Sequence, residues 1–221
     1  MYSKLFKLFI VFSLLTFGGE SFASATEEEV LETRSTIKAV CTYCAASVLE
    51  DDQMDMAERY GKMLAENEKK LVYGGGAVGM MGQIAKGCLA GGGEVHGIIP
   101  EFMMEREWGN KDIQRLEVVE TMHIRKFRMH QEADGFVILP GGFGSLDELF
   151  EMASWKQLSM HSKPIVVLNY KGFWDPLAAL LDSLVAGKSL SARDRSLVSF
   201  VTEVDEVIPA LNIMLEETFK K

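Results

Sequence analysis

The chain has 221 residues, of which 48% are hydrophobic and 25% are charged. This length and balance suit one globular α/β domain with a sizeable core. The formal net charge of −9 argues against a nucleic-acid partner held through its phosphates, but it leaves room for a small anion held in a local pocket.

The first 25 residues have the pattern of a secretory signal peptide. Lys4 and Lys7 open the segment, an apolar stretch follows over Leu8–Phe17, and a small-x-small cleavage pattern ends it at residues 23–25. The apolar stretch is too short for a membrane-spanning helix. We therefore predict cleavage after Ala25, no membrane association afterwards, and a periplasmic or secreted protein. The alternative is an uncleaved anchor or a misassigned start codon, the latter with a cytoplasmic protein.

Strands and helices alternate after a polar, flexible lead-in over residues 26–35. Apolar runs predict strands at 36–43, 70–73, 94–99, 116–119, 135–139, 164–169 and 197–201. Apolar residues at helical spacing predict helices at 52–66, 121–132, 145–158, 174–185 and 204–219, and one more that ends near residue 90. This order predicts a single α/β domain over 36–221, a doubly wound parallel sheet with helices on both faces. Ligands of such sheets bind beyond the carboxyl ends of the strands.

Cys41 and Cys44 form a C-x-x-C at the end of the first predicted strand. In an exported protein this spacing could form a disulfide, and in the cytosol it could be redox-active or bind a metal. A metal site would want further cysteine or histidine ligands at suitable spacing, and no second pair exists. We favour two small residues at the end of a buried strand and predict no metal site. Cys88 is expected to remain a free thiol.

A first glycine loop, "GGGAVGMMG", lies between a predicted strand and a predicted helix. Gly74, Gly76 and Gly79 match G-x-G-x-x-G, and Glu94 follows 20 residues after Gly74, as in dinucleotide-binding sites. However, the acidic residue of such sites closes a strand, whereas Glu94 opens one, and the loop follows the second strand. We therefore favour close packing of helix and sheet beside a nucleotide over binding of NAD.

The densest basic cluster is in "MHIRKFRMH", which contains Arg125, Lys126 and Arg128. Arg125 and Arg128 are three residues apart and are expected to share a helix face, with Lys126 pointing elsewhere. The cluster is either a solvated basic face or the cationic part of an anion site, into whose second glycine loop it leads. His123 and His130 are expected to be surface or structural residues.

The second glycine loop, "LPGGFGSLDELFE", leads from a buried strand into a helix. Gly141, Gly142 and Gly144 leave backbone N–H groups open, and the positive end of the helix and the Ser145 hydroxyl add to them. This arrangement predicts an anion cradle of the kind that holds a phosphate. The alternative for "SLDE" is a capping box, with Ser145 as N-cap and Glu148 reaching back to its N–H.

Four motifs together resemble a known family. "YGGGAVGMMG" is similar to Y-G-G-G-x-x-G-L-M-G, "MHIRK" to M-H-x-R-K, "PGGFGSLDE" to P-G-G-x-G-[TS]-x-x-E, and "QLSMHSKP" to Q-L-G-I-H-x-K-P. These are motifs of the Lonely Guy (LOG) family, the cytokinin riboside 5′-monophosphate phosphoribohydrolases, which often carry an older label of lysine decarboxylase. The resemblance extends from Ile37 to Val185 in the right order and spacing.

The resemblance implies a Rossmann-like homodimer that hydrolyses the N-glycosidic bond of a nucleoside 5′-monophosphate, either AMP or a cytokinin riboside monophosphate. It assigns Arg125 and Glu148 as the catalytic pair. The substrate contacts that it implies are Glu107, Lys126, Gly141, Gly142, Gly144, Ser145 and Asp147. The sequence departs from the usual pattern in "CAAS" for C-G-S-S, and at Ile124, Phe143 and Ser145, which leaves the preferred base open.

The residue types fit this chemistry. Cleavage of the C1′–N bond develops oxocarbenium character on the ribose, and a carboxylate near C1′ can stabilise that cation or take a proton from the attacking water. The reaction needs no metal, nicotinamide or pyridoxal cofactor, whereas a decarboxylase would need a lysine Schiff base to pyridoxal phosphate. Two other hypotheses remain: a nucleotide-binding sensor of the same fold without turnover, and an NAD-linked oxidoreductase.

Overall fold

The structure is a computed structural model that describes residues 36–104 and 109–219. Within these residues, seven strands form one sheet in the order β4-β3-β2-β1-β5-β6-β7. The strands are β1 Ala39–Tyr43, β2 Lys70–Tyr73, β3 Val95–Pro100, β4 Arg115–Val119, β5 Gly135–Ile138, β6 Ile165–Leu168 and β7 Ser199–Val201. All neighbouring strands are parallel. The predicted Rossmann-like parallel sheet is therefore confirmed.

Helices follow the strands along the chain and cover both faces of the sheet. They are α1 Asp51–Glu66, α2 Gly79–Ala90, α3 Met122–Gln131, α4 Phe143–Gln157, α5 Asp175–Ala186, α6 Ala192–Arg195 and α7 Val207–Phe219, with 3₁₀ turns at Glu101–Met103, Tyr170–Gly172 and Val204–Glu206. Strands β1 to β4 are added one after another on one side of β1, and β5 then lies on the other side of β1. The carboxyl ends of β1 and β5 thus form the topological switch point, where ligands of such sheets bind.

The sheet separates two buried layers of side chains. Val40 of β1 faces the layer formed with α1, α2 and α7, whereas Cys41 and Tyr43 face the layer formed with α3, α4 and α5. Burial on both faces explains why the strands are apolar along their whole length. The C-x-x-C pair lies at the end of a buried strand as the sequence favours, with Cys41 buried in β1 and Cys44 directly after it.

The predicted and observed boundaries differ mainly at the starts of strands and helices. The first strand begins at Ala39 and the last at Ser199, later than predicted. The last helix begins at Val207, after a 3₁₀ turn whose capping box joins Glu203 and Glu206. The short helix α6, which the sequence analysis did not predict, begins at Ala192 after the N-cap Ser191, whose hydroxyl accepts from the Asp194 N–H.

The predicted leader and a possible membrane-spanning helix are the remaining questions of chain organisation. The predicted signal peptide and lead-in, residues 1–35, lie outside the described residues. Among residues 36–104 and 109–219, no helix is both long and apolar enough to cross a membrane.

Candidate active site

A cavity of about 380 Å³ opens beyond the carboxyl ends of β1 and β5. It lies at the switch point of the sheet, where the fold alone predicts a ligand. Three chain segments that the sequence analysis singled out converge on it: the first glycine loop, the basic helix α3 and the second glycine loop. The lining residues are residues 42–47, Gly74, Met81, Arg125, Met129, Gly142, Gly144, Ser145 and Glu148.

Arg125 is buried at the cavity, with 5% of its surface exposed. Its Nε donates to the Ile98 carbonyl at 3.0 Å and its Nη2 donates to the Gly74 carbonyl at 2.8 Å. These carbonyls lie in β3 and directly after β2, so the sheet itself fixes the guanidinium. Charge-assisted hydrogen bonds of this kind are stronger than neutral ones. Arg125 therefore presents a permanent positive charge in a fixed orientation.

The three cations of α3 have three different environments. Arg128 makes ion pairs with Glu117 at 2.7 Å and Glu132 at 2.8 Å, away from the cavity. The spacing of Arg125 and Arg128 predicts a shared helix face, but of the two only Arg125 lines the cavity, because Arg128 pairs with acidic residues on β4 and after α3. The alternative of a solvated basic face is wrong for Arg125, which is buried against the sheet.

Lys126 also lies away from the cavity wall. Its Nζ contacts Asp147 Oδ2 and Glu151 Oε1, each at 3.0 Å. Burial lowers the pKa of Lys126, but the hydrogen bonds to the two carboxylates outweigh burial and raise it above the ordinary value, so the amine stays charged. Neither Lys126 nor Asp147 lines the cavity, and their predicted contact with substrate stays a prediction. Glu107, the other predicted contact, lies outside the described residues.

Helix α4 begins at Phe143, two residues earlier than predicted, because the Leu146 N–H already donates to the Gly142 carbonyl at 3.0 Å. Gly142 is the N-cap and receives no side-chain cap bond. The capping-box alternative for Ser145 and Glu148 is therefore wrong: Ser145 lies in the first turn and Glu148 in the second. Both residues are buried and line the cavity.

The start of α4 has the properties of an anion cradle. The first N–H groups of a helix have no acceptor within the helix and carry its positive dipole end. A Cβ added to Gly142 or Gly144 would meet nothing within 4 Å, so open space adjoins the backbone there. Ser145 is 2% exposed, and its buried hydroxyl has no hydrogen-bond partner among the described residues. Since buried polar groups are normally paired, this hydroxyl is available to donate to an anion in the cavity.

The first glycine loop contributes backbone and packing to the site. Gly79 has a φ of 60°, and a Cβ there would lie 2.1 Å from the Ala46 carbonyl oxygen, so the loop packs backbone to backbone on the segment after β1. Glu94, the acidic residue of the dinucleotide alternative, directly precedes β3 and thus lies at the amino end of the sheet, opposite the cavity. The packing interpretation of this loop agrees with the structure.

The sequence analysis missed part of the cavity wall. Tyr43, Met81 and Met129 line it, although the sequence analysis assigned none of them to the site. Burial, followed by the nearby Cys41 and Glu148, raises the pKa of Tyr43, so its phenol is neutral. Its position as the last residue of β1, at the carboxyl edge of the sheet, is the feature that could have identified it.

Comparisons with known proteins agree on one family. A family model described as "possible lysine decarboxylase" matches residues 81–211. The cytokinin riboside 5′-monophosphate phosphoribohydrolase LOG of Oryza sativa subsp. japonica is 35% identical over 192 residues, which are 83% of this chain and 79% of that protein. The phosphoribohydrolase LOG7 of Arabidopsis thaliana is 36% identical over 181 residues, 81% of this chain and 83% of that protein.

Solved structures support the fold independently. The molybdenum cofactor carrier protein of Chlamydomonas reinhardtii has a TM-score of 0.60 at 20% identity and matches 81% of this chain and 98% of its own. The molybdenum cofactor binding protein of Rippkaea orientalis has a TM-score of 0.59 at 15% identity, over 83% of this chain and 98% of its own. At such low identity the likeness shows the fold alone.

Proposed function

The chain belongs to the LOG family of phosphoribohydrolases, and we propose that it hydrolyses the N-glycosidic bond of a nucleoside 5′-monophosphate to a free base and ribose 5-phosphate. One observation carries the proposal. Two buried charged side chains from different helices, Arg125 and Glu148, line one cavity together with the open start of α4. A fixed cation, a carboxylate and an anion cradle are the groups that this reaction uses.

In this reaction the start of α4 binds the 5′-phosphate. Its open N–H groups and the Ser145 hydroxyl donate to the phosphate oxygens, and the helix dipole favours the negative charge. Binding at this end fixes the ribose, so that its anomeric carbon has one position relative to Glu148, one helical turn further along. A nucleoside without phosphate lacks this anchor and should be a poor substrate.

Glu148 and Arg125 act on the two sides of the bond that breaks. As the C1′–N bond lengthens, positive charge develops on the ribose, and the Glu148 carboxylate stabilises it or takes a proton from the attacking water. The water oxygen forms the new bond to C1′, the bonding electrons leave with the base, and the proton finally reaches the base nitrogen. Arg125 stabilises electron density on the ribose oxygens or the departing base. Water is the sole co-reactant.

The purified protein should convert AMP to adenine and ribose 5-phosphate in a chromatographic assay. A cytokinin riboside monophosphate assayed in parallel gives the preferred base, since the relatives carry that substrate in their names. A nucleotide-binding sensor would bind AMP, detected by calorimetry, and release no adenine. An oxidoreductase would instead reduce NAD in the presence of a substrate. Binding without adenine release would overturn the hydrolase proposal.

We also propose that the protein is a homodimer. Symmetric dimers are the commonest soluble oligomers, and the family resemblance implies one. An apolar surface is available on α4 and α5, where Phe143, Phe150 and Leu184 are 94%, 39% and 36% exposed. Phe150 and Leu184 line one cavity, and contiguous apolar surface of this kind marks interaction sites. A monomer mass by light scattering at micromolar concentration would contradict the dimer.

The export of the protein is a further proposal, which the leader sequence supports. Its basic start, its apolar stretch and its small-x-small end are three separate features of a signal peptide. We expect a mature chain that begins at Thr26 and is found outside the cytoplasm. N-terminal sequencing of protein from the native cell tests this, and an intact Met1 in the cytosolic fraction would refute export without affecting the proposed activity.

A further inference from the structure

Lys126 joins helix α3 to helix α4 beside the cavity. Its Nζ lies 3.0 Å from Asp147 Oδ2 and 3.0 Å from Glu151 Oε1. Side chains connect the two helices, here through Lys126 and further along through the contact of His130 with Trp155. α3 also carries Arg125 and α4 also carries Glu148, so this connection lies between the two helices that supply the catalytic pair.

On each helix, one charged residue faces the cavity and a neighbouring one contacts the other helix. Lys126 directly follows Arg125, and consecutive helical residues point about 100° apart, which follows from 3.6 residues per turn. Asp147 and Glu151 are four residues apart and share one face of α4, while Glu148 lies between them in sequence on the neighbouring face. Each helix thus presents one charged residue to the cavity and an adjacent one to the other helix.

We propose that Lys126 is a positioning residue: through Asp147 and Glu151 it holds Arg125 and Glu148 in their working arrangement without contact to the substrate. The proposal rests on the proposed hydrolase function. It differs from the substrate contact that the family resemblance implies for Lys126 and Asp147. Neither of these two residues lines the cavity, and both acceptors that the amine contacts here are carboxylates of α4.

Burial makes this connection firmer than a typical surface ion pair. The side chains of Lys126 and Glu151 are 10% and 22% exposed, so water screens their attraction little. The Asp147 side chain is 59% exposed and contributes less, since exposed ion pairs are weak. Loss of the amine would leave the half-buried Glu151 carboxylate without its cation. Because an unpaired buried charge is unfavourable, we expect α4 to shift so that this carboxylate moves closer to water. Such a shift moves Glu148 relative to Arg125.

Steady-state kinetics with AMP test the proposal with Lys126→Met, Lys126→Arg and the double variant Asp147→Asn/Glu151→Gln. We expect Lys126→Met and the double variant to lower kcat similarly, on the order of 10- to 100-fold, because a misplacement of about 1 Å has effects of that size. KM should stay near that of the unsubstituted enzyme, Lys126→Arg should restore part of kcat, and combining all substitutions should add no further loss. Lys62→Met, which removes a surface ion pair with Glu66 on α1, is the matched control and should change neither constant.

The possible results separate three conclusions. A raised KM for AMP with kcat retained in Lys126→Met, and normal kinetics in the carboxamide variants, would show that Lys126 binds the phosphate and would overturn positioning. Normal kinetics in all variants would also overturn it, with the hydrolase function intact. An unsubstituted enzyme without turnover would overturn the proposed function and this inference together. Thermal unfolding of each variant identifies a folding defect, and Glu151→Gln, which removes the less exposed of the two carboxylate partners, provides the second test if Lys126→Met fails to fold.

Discussion

Replacement of Glu148 by glutamine distinguishes a catalytic carboxylate from a structural one. The side chain is 9% exposed and lines the cavity in the second turn of α4. Glutamine keeps its length and shape but loses the negative charge. Since α4 begins at Phe143 and its N-cap has no side-chain bond, the substitution removes no helix cap. Fold and affinity for AMP should therefore be preserved.

The expected effect on rate follows from the role of the carboxylate. General acid–base help contributes about 10²–10⁴ to a rate, and each factor of ten corresponds to about 1.4 kcal/mol of activation free energy. We expect kcat of Glu148→Gln to fall by at least about 10², or roughly 2.7 kcal/mol. A lost cap would instead cost about 1 kcal/mol of stability and leave turnover unchanged.

Three measurements on the same variant decide between these outcomes. Adenine release from AMP gives kcat, calorimetry gives the affinity for AMP, and urea unfolding gives the stability. Glu66→Gln, an exposed position on α1, is the control for the loss of one carboxylate. Undiminished adenine release by Glu148→Gln would show that the carboxylate takes no part in catalysis, and a variant that is inactive only because it is unfolded would appear in the urea curve.

Four further outcomes are expected. AMP should be cleaved and adenosine should not, and equal rates for both substrates would contradict the anion cradle. Ser145→Ala should raise KM for AMP by about tenfold or more, because a hydrogen bond to a charged group is worth about 1.5–3 kcal/mol. Gly79→Ala should lower the unfolding free energy by at least about 1–2 kcal/mol, because alanine is strained at positive φ and its Cβ would meet the Ala46 carbonyl; an unchanged urea midpoint would contradict this. Burial lowers the pKa of His130 and His161 from 6.5 to about 4, so both favour folding when neutral, and stability should be full above pH 6.5 and fall as pH drops towards 4. Urea midpoints across this range should fall less in His130→Phe than in the unsubstituted protein.

The strands and both glycine loops could be predicted because their information is local. An apolar run that is buried on both faces looks the same wherever it pairs, and a glycine loop between strand and helix marks the carboxyl edge of a parallel sheet. Even the histidine assignments hold: His123 is exposed, and His130 packs on Phe136 and against the edge of Trp155. The start of α4 could not be predicted correctly, because "SLDE" matches a capping box with Ser145 as N-cap, whereas Ser145 lies in the first turn of the helix.

The ion-pair partners of the basic side chains on α3 could not be predicted, because these partners are distant in sequence. Arg128 is taken up by Glu117, a residue of β4, and Lys126 by residues 21 and 25 positions further along the chain. The spacing in "MHIRKFRMH" separates Lys126 from Arg125, but nothing in this segment distinguishes Arg128 from Arg125 by residue type or by the predicted helix face. The family resemblance selected Arg125, and the structure supplies the physical reason, which is a pair of backbone carbonyls at the carboxyl edge of the sheet.

Those carbonyls also explain why the first glycine loop and the basic helix belong together. The Gly74 carbonyl accepts from Arg125 Nη2 at 2.8 Å, and a Cβ on Gly74 would lie 2.1 Å from that same nitrogen. Any larger residue at this position would therefore displace the guanidinium from the backbone that orients it. The G-x-G-x-x-G spacing, which in isolation suggests a dinucleotide, thus supplies the bare backbone against which Arg125 rests. One glycine loop fixes the cation and the other forms the open start of α4, and the switch point between β1 and β5 brings the two to a single cavity.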